Sequence, residues 1–149
     1  MATILAALRE LHSEGVTGKP LVAAISTTGI SKVTRDVPWL YMPLYHYLLA
    51  VPHKDKRNME NLLIEAAAET QANVDDFVIV KPTLLTDGVA KGLEVVRVGW
   101  ERPLGREGEK GSNPAIGYYI SRADVGGWLF EEVVKKGKKW AGKSVSLTY

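Results

Sequence analysis

The sequence predicts an α/β fold in which helices cover a mostly parallel sheet. Two short, continuous apolar runs, Leu21-Val-Ala-Ala-Ile25 and Phe77-Val-Ile-Val80, suit parallel strands buried on both faces. Segments with the spacing of amphipathic helices lie before, between and after them. Such alternation of helix and strand is the mark of this class.

Each element follows from its residues. Residues 2–14 read as a helix, with Ile4, Leu5, Leu8 and Leu11 on one side, and Gly15 and Gly18 stop it. The first apolar run then forms a strand, which leaves through the small polar segment Ser26-Thr-Thr-Gly29. Residues 30–52 carry Trp39, Tyr41, Tyr45 and Tyr47 among Pro38, Pro43 and Pro52, which predicts a loop with one short helix. Residues 53–72 form the clearest helix, with Met59, Leu62, Leu63, Ala66 and Ala67 as its apolar face.

Asp75-Asp76 leads into the second buried strand, which Pro82 closes, and Asp87-Gly88 marks a turn. Glu94–Val98 alternates enough for an edge strand, and Tyr118–Ile120 for a short partner, giving a hairpin-like pair. Between them, Glu101 to Pro114 is rich in Gly and charge and reads as a mobile loop. Ser121-Arg-Ala-Asp124 has the pattern of a capping box opening a helix over 125–136. Lys135, Lys136, Lys138 and Lys139 crowd its end, where cations suit the helix dipole. Ser144 to Tyr149 is a last strand. The whole, 1–149, has the size of a single domain and shows no internal repeat.

Composition excludes several kinds of function. Nineteen basic residues against seventeen acidic ones leave a formal charge of +2, far from the footprint of a dedicated nucleic-acid binder. The absence of cysteine removes disulfides, thiolate nucleophiles, iron–sulfur clusters and cysteine zinc sites, and no metal site is expected. The first ten residues lack the basic start of a signal peptide. The apolar stretch Trp39 to Val51 is too short to span a bilayer and contains Pro43 and His46. A cytoplasmic protein that binds neither nucleic acid nor membrane is the expectation.

Three segments, taken in order, resemble the C-terminal part of an atypical short-chain dehydrogenase/reductase of the NmrA-like group. They are Ile25-Ser-Thr-Thr-Gly29, then Val78-Ile-Val-Lys-Pro-Thr-Leu-Leu85 with Asp87-Gly88, then Ile120-Ser-Arg-Ala-Asp-Val125 and its amphipathic helix. The resemblance implies a partial Rossmann-like three-layer fold. It also implies a dinucleotide cofactor, NAD(P), and a small organic carbonyl or alcohol as substrate. The glycine-rich turn that holds the pyrophosphate in that family has no counterpart here, since Gly15 and Gly18 follow a helix instead of a strand. The chain therefore reads as a truncated version of the family or as one without the main cofactor anchor.

The resemblance also assigns roles to residues. Ser26 and Thr27, at the end of the first strand, match the position where the family's hydroxyl meets the substrate carbonyl; Thr28 lies beside the cofactor. Lys56 resembles the lysine of the family's Y-x-x-x-K helix, which holds the nicotinamide ribose and lowers the tyrosine pKa. Pro52 stands where that tyrosine belongs, so His53 is the nearest titratable replacement, with Tyr45 and Tyr47 as further candidates. Pro82, Thr83 and Leu84 fall where the family's chain approaches the nicotinamide. Each has a plainer alternative: a polar turn at Ser26–Thr28, a helix-start histidine, a solvated lysine, a strand terminator. Ser121 and Asp124 read as helix caps. Arg122 faces either a ligand or solvent, and the aromatic stretch Trp39–Tyr47 is either a lid or core.

Three functional classes follow. The first is an NAD(P)-dependent oxidoreductase. The second is a non-catalytic NmrA-like module that senses a nucleotide or a partner, and the third is an inactive remnant. Without the strands that precede it in the family, Leu21–Ile25 has an open edge, which calls for a homo-oligomer or a partner chain to cover it.

Overall fold

The computed structural model describes residues 1–31, 36–41, 49–69, 73–103, 111 and 113–149. Its main sheet has the strand order β1-β2-β6-β4, and a smaller one pairs β3 with β5. The strands are β1 (Leu21–Ile25), β2 (Asp76–Pro82), β3 (Leu84–Thr86), β4 (Arg97–Glu101), β5 (Tyr119–Ser121) and β6 (Lys143–Thr148). β1, β2 and β6 are parallel, in the registers Ile25↔Val80 and Val80↔Val145. β4 closes the far edge antiparallel to β6, with Glu101↔Ser144 and Gly99↔Ser146.

Alternation in β2 divides the core into two halves. Phe77 and Ile79 face Leu5 of α1 (Ala2–Ser13) and Leu63 and Ala66 of α2 (Ala50–Ala68), with Ala24 from β1. Val78 and Val80, with Val145 and Leu147 of β6, face Val125, Trp128, Val133 and Trp140. Those last four belong to α3 (Arg122–Trp128), to the π-helical turn Leu129–Val134 that continues it, and to the short 3-10 turn Gly137–Trp140. Helices on both sides of a mostly parallel sheet make the three layers the sequence implies, a partial Rossmann-like architecture.

α2 opens three residues earlier than its apolar periodicity suggests, at Ala50. Pro52 is tolerated because the first helical turn needs no N–H donor from it. The expected hairpin does not form: the edge strand lies at Arg97–Glu101 and pairs with the C-terminal strand, while Tyr119–Ser121 pairs in parallel with Leu84–Thr86. Leu93–Val95 is a 3-10 turn.

Glu101, placed by the sequence in a mobile loop, ends β4 and is buried. The chain returns across β4 at Asn113–Ala115, so close to Gly99 that a Cβ there would collide with backbone. Ala115 N donates to Ser146 Oγ at 2.7 Å. Among the described residues of the expected loop, β4 and this return account for all but Arg102, Pro103 and Gly111; residues 104–110 and 112 lie outside the description.

Candidate functional site

β1 stops at Ile25, but its chain stays beside β2. Ser26 N donates to Val80 O at 2.7 Å and Thr28 N to Pro82 O at 3.3 Å. This carries Ser26 and Thr28 indoors, with exposures of 5% and 0%. Among the described residues neither hydroxyl has a hydrogen bond of good geometry, although Ser26 lies against the Glu60 carboxyl. A buried hydroxyl left without a partner costs roughly 1–3 kcal/mol. Both lie at the carboxyl end of parallel strands, the place where open α/β sheets bind ligands. Thr27, between them, is half-buried.

α2 faces this strand end with a stripe that changes character along its length. Toward its C-terminus it presents Leu63 and Ala66 to the core; His53 in its first turn and Glu60 at its middle are also buried. Lys56 lies between those two and donates from Nζ to Ile25 O at 3.1 Å, capping the last carbonyl of β1. The structure thus gathers Ser26, Thr28 and Lys56 around one strand end, with His53 three residues before Lys56 on the same helix.

The second expected segment contributes backbone instead of side chains. Pro82 ends β2 and is buried, while the Thr83 hydroxyl donates to Thr148 Oγ1 at 3.1 Å and fastens β2 to β6. Leu84 opens β3 and is 60% exposed. Tyr45 and Tyr47 lie outside the described residues. Trp39 and Leu40, described from the same aromatic stretch, are exposed and so do not pack in the core.

Sequence reasoning missed a buried ionic cluster. Lys81 shares its β2 face with Phe77 and Ile79, and its Nζ lies 3.5 Å from Glu60 Oε2 and 3.2 Å from Glu101 Oε1. Ser31 Oγ donates to both oxygens of Glu101, at 2.7 and 2.8 Å. Asp36 is buried in the electrostatic range of the same lysine. Burial pushes the Glu60 carboxyl above its ordinary pKa; Lys81 and the Ser26 hydroxyl pull it down without cancelling the effect. Glu60 Oε1 nonetheless has no hydrogen bond of good geometry. Burial likewise raises Asp36, against a backbone hydrogen bond from Gly29 and the charge of Lys81, and with Glu101 adding repulsion.

Two local signals point to this cluster. A lysine at the end of an otherwise apolar, doubly buried strand needs an anion, and Glu60 falls on the sheet-facing stripe of α2. Glu60, Lys81 and Glu101 line a cavity of about 250 Å³, together with Arg57, Ile64 and Ser144. The described residues hold no group of His, Asp or Glu arranged to bind a metal ion.

The remaining candidates are structural. Ser121 Oγ accepts from Asp124 N at 3.0 Å, the expected cap. Arg122 pairs with Asp87 at 2.6 Å on the surface. The lysines after α3 are paired, Lys135 with Glu131, Lys136 and Lys139 with Glu132, and Lys138 with Asp75. Among the described residues no helix is long and apolar enough to cross a membrane.

Comparison with known proteins gives two named relatives. The chain is 48% identical, over 153 aligned positions, to a protein of Aspergillus terreus called Reductase pytE; the match takes in 98% of this chain and 54% of the relative. It is 37% identical, over 161 positions, to a protein of Aspergillus niger called Oxidase pynE, with 97% of this chain and 53% of the relative matched. No family model matches the chain. No solved structure matches it significantly. The chain spans about half the length of the curated relatives it matches, one named a reductase and the other an oxidase.

Proposed function

We propose that this chain forms the substrate-facing part of an NAD(P)-dependent oxidoreductase acting on a small organic carbonyl or alcohol. The observation that carries the reading is the strand end itself: two buried hydroxyls, Ser26 against the Glu60 carboxyl and Thr28 without a hydrogen bond among the described residues, near a lysine that caps the last carbonyl of β1. Relatives named reductase and oxidase support redox chemistry in general. A bound NAD(P)H would supply the hydride. The chain's own groups would do the rest. Ser26 orients a carbonyl oxygen, Thr28 binds beside it, and Lys56 leaves Ile25 O to contact a ribose hydroxyl. Thr27 and His53 flank the same end, and the backbone of Pro82–Leu84 would pass beside the nicotinamide.

Titrating the chain with NADPH, and then NADH, while following tryptophan fluorescence tests this. Saturable quenching at micromolar cofactor, weakened at least ~10-fold by Lys56→Ala (a loss of about 1.4 kcal/mol), is the expected result. No quenching at millimolar cofactor would refute it.

A second reading, a nucleotide-sensing module without turnover, draws on Pro52. That residue occupies the first turn of α2, four positions before Lys56, where the resembled family carries its tyrosine acid. Cofactor binding without reduction of any carbonyl would select it.

A further inference from the structure

We propose that Glu60 is the proton donor to a small carbonyl compound bound in the cavity between α2 and the sheet, with Ser26 and Lys81 as its positioning residues. This rests on the oxidoreductase reading above and names the acid that reading lacks.

The geometry argues for it from three sides. Glu60 is 92% removed from solvent, being 8% exposed, yet its Oε1 has no partner and its side chain lines the cavity. Its other oxygen, Oε2, is held 3.5 Å from Lys81 Nζ. The buried Ser26 hydroxyl lies against the same carboxyl and belongs to the strand end where the cofactor is proposed to bind. Glu60 therefore joins the cavity to the candidate redox site.

Charge decides which ligand fits. Lys81 already neutralises Glu101, whose carboxylate also takes both bonds from Ser31. A second buried anion beside the same lysine is disfavoured, so burial favours Glu60 in its neutral acid form, consistent with its raised pKa. A neutral carboxyl needs an acceptor for its proton, and a carbonyl oxygen is one. At about 250 Å³ the cavity is below the roughly 300–1,000 Å³ of drug-sized sites, which suits a small molecule.

The step balances. A bound reduced nicotinamide would supply the hydride, with its electron pair, to the carbonyl carbon and be oxidised. As the C=O π pair moves to oxygen, Glu60 gives that oxygen its proton, and the carbonyl becomes an alcohol. The Glu60 carboxylate left behind faces the Lys81 ammonium, and water entering the cavity restores its proton.

The test uses the full chain, carbon-13 labelled at glutamate carboxyls, with benzaldehyde and diacetyl as probes. Glu60 is assigned as the resonance lost in Glu60→Gln. It should remain protonated above the ordinary glutamate range, titrate still higher in Lys81→Met, and shift when benzaldehyde or diacetyl is added. NADPH-dependent reduction of the probe should fall at least ~100-fold in Glu60→Gln, the scale of a lost general acid, while cofactor quenching is retained. In Ser26→Ala the Glu60 titration should move, because Ser26 no longer faces it.

The proposal is overturned if Glu60 is ionised throughout the neutral range or if neither probe perturbs it. It is also overturned if Glu60→Gln reduces the probe at the wild-type rate, or if the wild type with both ligands bound reduces nothing. Failure of cofactor quenching with the carboxyl titration and probe shift intact overturns the NAD(P) reading and the donor role, and leaves Glu60 as a carbonyl-binding acid. Loss of the probe shift with cofactor quenching intact overturns the Glu60 site alone.

Discussion

Lys56 Nζ donates to Ile25 O at 3.1 Å, so the first turns of α2 are tied to the last residue of β1. The bond uses a charge to satisfy a strand-end carbonyl, and the lysine remains half-exposed, able to exchange that carbonyl for a ligand. Solvent screens it, so replacement by alanine should cost only about 1 kcal/mol of stability. NADPH binding should weaken at least ~10-fold, about 1.4 kcal/mol or more. A melting curve beside a fluorescence titration of Lys56→Ala separates the two; a large stability loss with unchanged cofactor affinity would make the lysine purely structural.

Asp124 should be the costliest polar position in the C-terminal half. Its carboxylate accepts from Lys91 N at 2.8 Å, Gly92 N at 3.1 Å, Ser121 Oγ at 2.8 Å and the Tyr149 hydroxyl. Burial pushes its pKa up, but the bonds from Tyr149, Lys91, Ser121 and Gly92 outweigh that and hold it below the ordinary range. Asp124→Ala leaves four donors without an acceptor and should cost ~3 kcal/mol or more, against roughly 1 kcal/mol for Tyr149→Phe. Urea midpoints of the two variants give the comparison. Equal losses would mean that the backbone donors find water.

Acid stability should show the reverse sign from the cluster around Lys81. Bonds from Lys136 and Lys139, with Trp140 adding to them, lower Glu132 from 4.5 to about 2. A depressed carboxyl contributes stability that is complete above pH 4.5 and is lost as the pH falls toward 2. Glu132→Gln should therefore lower the melting temperature at pH 6 and close the gap to wild type near pH 2. Glu60 and Asp36, both raised, act oppositely: they bind protons on folding, so stability falls as the pH rises above their unfolded values of 4.5 and 3.8. Glu60→Gln should match wild type at low pH and exceed it at high pH. A gain largest in acid would contradict the sign.

Continuous apolar runs made β1 and β2 legible from sequence, although only β2 is buried on both faces as expected; β1 leaves Ala23 and Ile25 exposed at the sheet edge. The cap at Ser121 was legible because its partner, Asp124, is three residues away. β4 was set three residues too early, and the partners of β4 and β5 were missed, since each pairs outside its own neighbourhood, with β6 and β3. At the site, Ser26 and Lys56 could be singled out by position along the chain. Glu60, Lys81 and Glu101 could not be joined, because their contacts exist only after α2, β2 and β4 are packed. Only local hints were there, Lys81 as a charge on a face otherwise occupied by Phe77 and Ile79, and Glu60 on the sheet-facing stripe of α2.

The outer edge of β1 carries the last expectation. β1 pairs with β2 on one side and with no described strand on the other. Ile25 is 45% exposed there. Unpaired N–H and C=O groups beside apolar side chains form a template for another strand. Relatives about twice as long offer a source for a covering segment. The 149-residue chain in isolation should use a second copy of itself. Light scattering at micromolar concentration should report a dimer or larger species, and Ala23→Pro, which adds a ring and removes an N–H on β1, should weaken it without disturbing the packing of α3. A stable monomer would show that the edge needs no cover.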